Sequence, residues 1–309
     1  MPSVAVIDIG SNSIKVLVAA PASGGRLTAR LMRTIEARIS AGINQSPPRL
    51  AAEGMARGVA AVRELAAEAA ELKPEVTVII ATSAVRDAAN GADFCAQVQA
   101  AAGQPVRVLS GDEEAALIGR GLLCDPRLAE LRDFYVFDLG GGSLECLAFR
   151  ERRIAQAVSL PLGCVRLTER FVADPAQPLT PAALEAIAAH VHERIAAANF
   201  SLAVPAAAIG TGGTLTTVRA VLAARANQPM EQAEARITLE QLREMLARLG
   251  SLPLADRKRT PGLSSARADV FPAALATLIA VAELGSFDAF QHSIYNLRWG
   301  VAAEALEKI

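Results

Sequence analysis

The sequence predicts a mixed α/β protein built from two related halves, and three observations carry that expectation. The chain has 309 residues, about twice a common domain length, which leaves ample chain to bury two cores. Apolar β-rich runs alternate with helical patterns along its length, the signature of α/β domains. An internal echo is the third: Val6-Ile7-Asp8-Ile9-Gly10-Ser11-Asn12-Ser13-Ile14-Lys15 returns as Val136-Phe137-Asp138-Leu139-Gly140-Gly141-Gly142-Ser143-Leu144-Glu145 at a constant offset of 130. Each copy is an apolar run, an acidic residue at its end, a turn of small residues and a second apolar run, which reads as a β-hairpin opening each half.

Between the hairpins the pattern predicts a helix over 51–72, a strand Val76–Ala81, a helix over 87–102, a strand Val106–Leu109 and a helix from Asp112. After the second hairpin it predicts helices over 181–198, 214–226 and 238–249, a strand Ala206–Ile209, and an apolar helix over 266–284. Gly121, Pro126 and a charge-rich stretch place the boundary between domains at 121–133, written as 1–124 and 125–298, with a short amphipathic helix over 299–309 packing back on the first domain.

Composition narrows the function. Hydrophobic residues are 52% and charged residues 20% of the chain, so disorder and fibrous classes are excluded. A net charge of −1 means that any polyanion must be held by a local basic patch. With aromatic residues at 4% there is no stacking platform for nucleic acid. Cys95, Cys124, Cys146 and Cys164 form no C-x-x-C pair, which argues against zinc and disulfides and favours a reducing cytoplasm. The longest uncharged run, Ile195–Val218, contains Asn199, Pro205 and four threonines, so no membrane span is expected.

Both hairpin turns can turn backbone N–H groups toward an anion, and glycine lets a phosphate approach closely. Asp8 and Asp138 at the strand ends would then need a divalent cation between themselves and that anion. A third Gly-rich element, Gly210-Thr211-Gly212-Gly213-Thr214, joins a strand to a helix, the geometry that aims helix N–H groups at phosphate. It is neither a Walker A motif nor a dinucleotide fingerprint. Ser110 and Glu113 have capping-box spacing; Glu114 is not needed by that box and is left as a candidate general base. Arg86 follows a strand directly, whereas His190, His192 and His292 have no metal-ligand spacing and are read as non-catalytic.

These residues resemble the exopolyphosphatase/guanosine pentaphosphate phosphohydrolase (Ppx/GppA) family, within the actin-like superfamily of RNase H-like folds that includes sugar kinases and chaperone ATPases. The resemblance rests on Asp8–Ser13, Ala81–Ala88 with Arg86, Ser110–Ala115, Asp138–Ser143 with Glu145, Gly163–Glu169 with Arg166, Gly210–Thr214, and Pro261–Leu263 with Arg267–Val270. It is to the short form, without additional C-terminal helical domains.

It implies two actin-like domains around an interdomain cleft and release of terminal phosphate from inorganic polyphosphate or guanosine pentaphosphate. By motif position Glu114 corresponds to the catalytic glutamate. Asp138 and Glu145, with Asp8, correspond to the residues that hold Mg²⁺ or Mn²⁺, with K⁺ as an additional ion. Ser11, Asn12, Ser13, Lys15, Arg86, Gly141, Gly142, Ser143, Gly212, Gly213, Thr214 and Arg267 correspond to the phosphate-binding set. A homodimer is common in the family. Two departures stand out: Lys15 replaces the family's His or Arg, and Trp299, the only tryptophan, replaces a glutamate of the family's usual Gly-Leu-Arg-Glu-Gly. The alternatives are a low-turnover regulatory binder of polyphosphate or (p)ppGpp, and an ATP-dependent phosphotransferase on the same fold.

Overall fold

A computed structural model describes residues 2–23, 26–203 and 206–309; Pro205 lies outside them. The chain divides into two compact units, 1–131 with 295–309, and 132–294.

In the first unit β1 (Val4–Ile9), β2 (Ile14–Pro21) and β3 (Leu27–Ile35) form an antiparallel meander. Then β4 (Val76–Ala81) and β5 (Val106–Val108) add in parallel on the other side of β1, in the order β3-β2-β1-β4-β5. Every residue of β1 is buried, as a central strand covered on both faces requires. One face packs on α1 (Ala52–Glu71) and α3 (Gly91–Ala102), through Val62, Leu65, Phe94 and Val98. A short helix, α2 (Ser83–Asp87), follows β4. The helix expected over 87–102 starts later, at Gly91, after a separate short helix that ends at Asp87.

The chain's last helix, α11 (Leu297–Leu306), packs on α4 (Gly111–Leu122) and on β1 and β2. Two glycines allow this approach: a Cβ on Gly300 would collide with the Leu117 carbonyl, and one on Gly121 with the Asn296 carbonyl. Arg298 donates to Val16 O at 3.2 Å. Trp299 is buried and its ring lies 4.4 Å from that of Tyr295.

The second unit repeats the plan with β6 (Phe134–Leu139), β7 (Leu144–Arg150), β8 (Arg153–Leu160), β9 (Ala207–Thr211) and β11 (Ala289–His292). The strand β10 (Arg236–Thr238) extends the far edge antiparallel, giving β10-β11-β9-β6-β7-β8. Its helices are α5 (Cys164–Phe171), α6 (Pro181–Ala197), α7 (Gly212–Arg225), α8 (Leu239–Gly250), α9 (Leu254–Arg257) and α10 (Phe271–Leu284). α10 packs on α5, α6 and α8 and is buried nearly all round, which explains why its sequence is apolar on every face. It begins at Phe271 and not near 266, because Pro272 suits a first turn.

The expected boundary at 124/125 falls inside the first unit. Asp125 caps a 3₁₀ turn at Pro126–Leu128 and takes Arg127 in a bidentate pair at 3.1 and 2.8 Å. Leu128 is buried, and the units divide after 131. Residues 295–298 likewise fall with the first unit. Among the described residues no helix is long and apolar enough to cross a membrane.

Candidate functional site

The candidate residues form one constellation in each unit. In the first, the β1–β2 turn closes with Gly10 N–H donating to Ser13 O at 3.2 Å, and Ser11, Asn12 and Ser13 are all buried. Ser11 Oγ meets Ser83 Oγ, at the start of α2, at 3.2 Å. Asn12 is held at both ends of its amide: Nδ2 donates to Glu36 Oε2 at 2.9 Å, and Oδ1 accepts from Arg38 Nε at 3.3 Å. No strand or glycine pattern in the sequence flags Glu36 and Arg38, which follow β3.

Asp8 and Lys15 are register partners across the hairpin, and Lys15 Nζ stands 3.9 Å from Asp8 Oδ2. Asp8 therefore shares its strand pair with a cation supplied by the chain itself.

On α4 the capping box forms as its spacing implies. Glu113 N–H donates to Ser110 Oγ at 3.1 Å, and Ser110 N–H donates to Glu113 Oε2 at 2.9 Å. The Ser110 backbone donor, helped by Arg107, holds the Glu113 carboxyl below the usual carboxylate range. Glu114, one residue on, turns inward and is only 5% exposed. Arg86 Nη1 donates to Glu114 Oε2 at 2.9 Å and to Leu109 O at 2.9 Å. The structure thus brings Arg86, expected on phosphate, onto the carboxylate of Glu114.

In the second unit Asp138 and Glu145 are register partners and both are buried. Like charges directly opposite on one antiparallel pair destabilise it, so this placement suits a bound cation. Glu145 Oε1 accepts from Ser159 Oγ at 2.8 Å. No group of three or more His, Cys, Asp or Glu suited to a metal exists among the described residues. Two carboxylates alone match Mg²⁺, which keeps several waters and takes its other oxygens from substrate phosphate. They do not form a cage for Zn²⁺.

The Gly140–Ser143 turn is closed by Gly140 N–H on Ser143 O at 3.0 Å. The start of α5 presses against it: a Cβ on Gly163 would collide with Gly141 and Gly142, and Arg166 Nε donates to Gly142 O at 2.8 Å. Gly212 opens α7 at φ 86°, a left-handed value that favours glycine, and a Cβ there would collide with Asp138 Oδ1. Thr214 Oγ1 donates to Leu139 O at 2.9 Å. The Arg267 guanidinium lies over Gly213, so close that a Cβ would overlap it. Asp138, Gly212, Gly213, Thr214 and Arg267 are therefore one cluster: a carboxylate, a helix N-terminus and a guanidinium, able together to hold a cation and a phosphate. His292, beneath it on β11, is fully buried and its Nε2 lies 3.3 Å from Thr216 Oγ1.

The profile of the Ppx/GppA phosphatase family matches residues 17–309; the first hairpin turn precedes the matched residues. Among solved structures, an exopolyphosphatase-like protein is 26% identical with a TM-score of 0.88, covering 99% of both chains. The Aquifex aeolicus PPX-GPPA enzyme is 25% identical with a TM-score of 0.78, covering 98% of this chain and 99% of its own. An exopolyphosphatase from Cytophaga hutchinsonii shares the fold at 23% identity and a TM-score of 0.88, covering 99% of this chain and 98% of its own.

Proposed function

From the premise that the chain belongs to the Ppx/GppA phosphatase family and has its two-domain actin-like fold, we propose that it is a metal-dependent phosphoanhydride hydrolase acting on inorganic polyphosphate, guanosine pentaphosphate or both. The observation that carries this reading is Glu114: a buried carboxylate outside the capping box, held by Arg86 at 2.9 Å.

In this reading Glu114 takes a proton from water as the water oxygen attacks the terminal phosphorus. The P–O bond to the neighbouring phosphate breaks, orthophosphate leaves, and the chain shortened by one phosphate departs with its new terminal oxygen. Asp138 and Glu145 hold Mg²⁺, which when bound neutralises charge on phosphate oxygens. Asp8 is a weaker candidate for that task, since Lys15 already faces it. The turns at Ser11–Ser13 and Gly141–Ser143, the α7 N-terminus at Gly212–Thr214, and Arg267 bind phosphate oxygens through backbone N–H groups and the guanidinium. Lys15 keeps its ammonium over the first turn, near Gly10.

The test is phosphate release from long-chain polyphosphate and from guanosine pentaphosphate, with Mg²⁺ and K⁺, for wild type and Glu114→Gln. The variant is expected to lose roughly 10²–10⁴-fold in kcat while retaining polyphosphate binding, the range that a positioned general base supplies. Chelation of Mg²⁺ is expected to abolish release. No wild-type release from either substrate, with measurable binding, would replace the hydrolase by the regulatory binder.

A further inference from the structure

We propose that Arg38 is a positioning residue that presets the first anion-binding turn; the inference rests on the phosphate-binding role given above to Ser11–Ser13. Arg38 is not glycine, yet its φ is 43°, a left-handed conformation that costs free energy and persists only where neighbours impose it. Here they do: on α1, Arg57 donates from Nε to Ala37 O at 2.9 Å and from Nη2 to Arg38 O at 3.2 Å.

So held, the segment reaches the turn at three points. Ser40 N–H donates to Ser11 O at 3.2 Å, Arg38 N–H donates to Asn12 O at 2.8 Å, and Arg38 Nε donates to Asn12 Oδ1. A trans peptide carries its C=O and N–H in opposite directions. With the Ser11 and Asn12 carbonyls drawn toward the 38–40 segment, the N–H groups of Asn12 and Ser13 are turned to the other side of the turn. That is the arrangement of a backbone anion nest.

The second unit repeats the device with different residues. Val165 N–H donates to Gly141 O at 2.9 Å and Arg166 Nε donates to Gly142 O at 2.8 Å. Gly141 and Gly142 stand at the same offset of 130 from Ser11 and Asn12. In both halves, then, an arginine following the third strand donates to the corresponding turn carbonyl, Arg38 through its backbone N–H and Arg166 through its side chain, while the Arg38 side chain holds the Asn12 amide. The first half lacks the glycines that make the second turn compliant, and it uses strained backbone and the clamped Asn12 side chain in their place.

The experiment compares wild type, Arg38→Gly, Arg38→Lys and Glu114→Gln by calorimetric titration with tripolyphosphate, together with steady-state kinetics and thermal midpoints. Arg38→Gly tolerates the left-handed backbone, keeps the N–H that binds Asn12 O and deletes the whole side chain; Arg38→Lys keeps the charge and loses the Nε donor, so both variants test the Nε clamp on the Asn12 side chain. Both are expected to weaken tripolyphosphate binding and raise KM by about tenfold with kcat within about twofold of wild type, the pattern of lost uniform binding. Glu114→Gln is expected to bind as wild type does. If Arg38→Gly does not fold, Arg38→Lys carries the same expectation. Affinity within about twofold of wild type in the folded variants overturns the proposal, as does a wild type that binds no tripolyphosphate. A wild type that binds but releases no phosphate sinks the hydrolase reading, and the Arg38 comparison still decides this one.

Discussion

Glu113 and Glu114 carry the same functional group on adjacent residues, and the capping box sends them to opposite surroundings. Glu113 is spent on the helix N-terminus and on Arg107, while Glu114 is buried against Arg86. For Glu113, the folded carboxyl titrates below its unfolded value, so its stabilisation is present above the ordinary carboxylate range and is lost as pH falls through the folded value. Glu113→Gln keeps the box and removes the charge. It is expected to be less stable than wild type at neutral pH by under about 1 kcal/mol, the range of an exposed pair. The deficit is expected to shrink on acidification, read by urea denaturation at several pH values. The capping-box spacing was legible in the sequence and left Glu114 over for other work. The Arg86–Glu114 contact was not legible, because no spacing rule links Arg86, on α2, to Glu114, 28 residues later on α4.

At the scale of elements, α4 and α11 meet through glycine, and no side chain separates their backbones at Gly121 and Gly300. Gly300→Ala puts a methyl group against the Leu117 carbonyl, and the expected cost is about 1–3 kcal/mol of overpacking, measured as a lower urea midpoint with unchanged slope. Since α4 carries Glu114, kcat is expected to fall with it. The hairpins, β4, α1 and α6 follow from periodicity and turn chemistry that the sequence displays. The strands β3 and β8 do not, since both are sheet edges and largely exposed, so no continuous apolar run marks them. The short helix α2 escaped for another reason: Thr82-Ser83-Ala84-Val85 has no capping side-chain bond to announce a helix start.

For the whole molecule, the duplication visible at offset 130 is matched by two sheets whose first four strands have the same order and sense. The duplicated hairpins differ in charge where it matters: Lys15 faces Asp8, and Glu145 faces Asp138. Each unit has its own apolar core, so each is expected to unfold as its own cooperative body. Trp299 is the only tryptophan and lies in the first unit. Tryptophan fluorescence is therefore expected to follow that unit alone, while far-UV ellipticity follows both; non-coincident urea transitions check this, and coincident ones would show a single cooperative body. The placement of α11 also sets an order of assembly during synthesis. Residues 132–294 form one continuous stretch and can close as soon as they leave the ribosome, whereas the N-terminal unit must wait for the helix translated after all of them. Domains generally complete from the N-terminus onward; here the half translated first is finished after the second, and α4, which carries Glu114, gains its supporting helix only once residues 297–306 have been made.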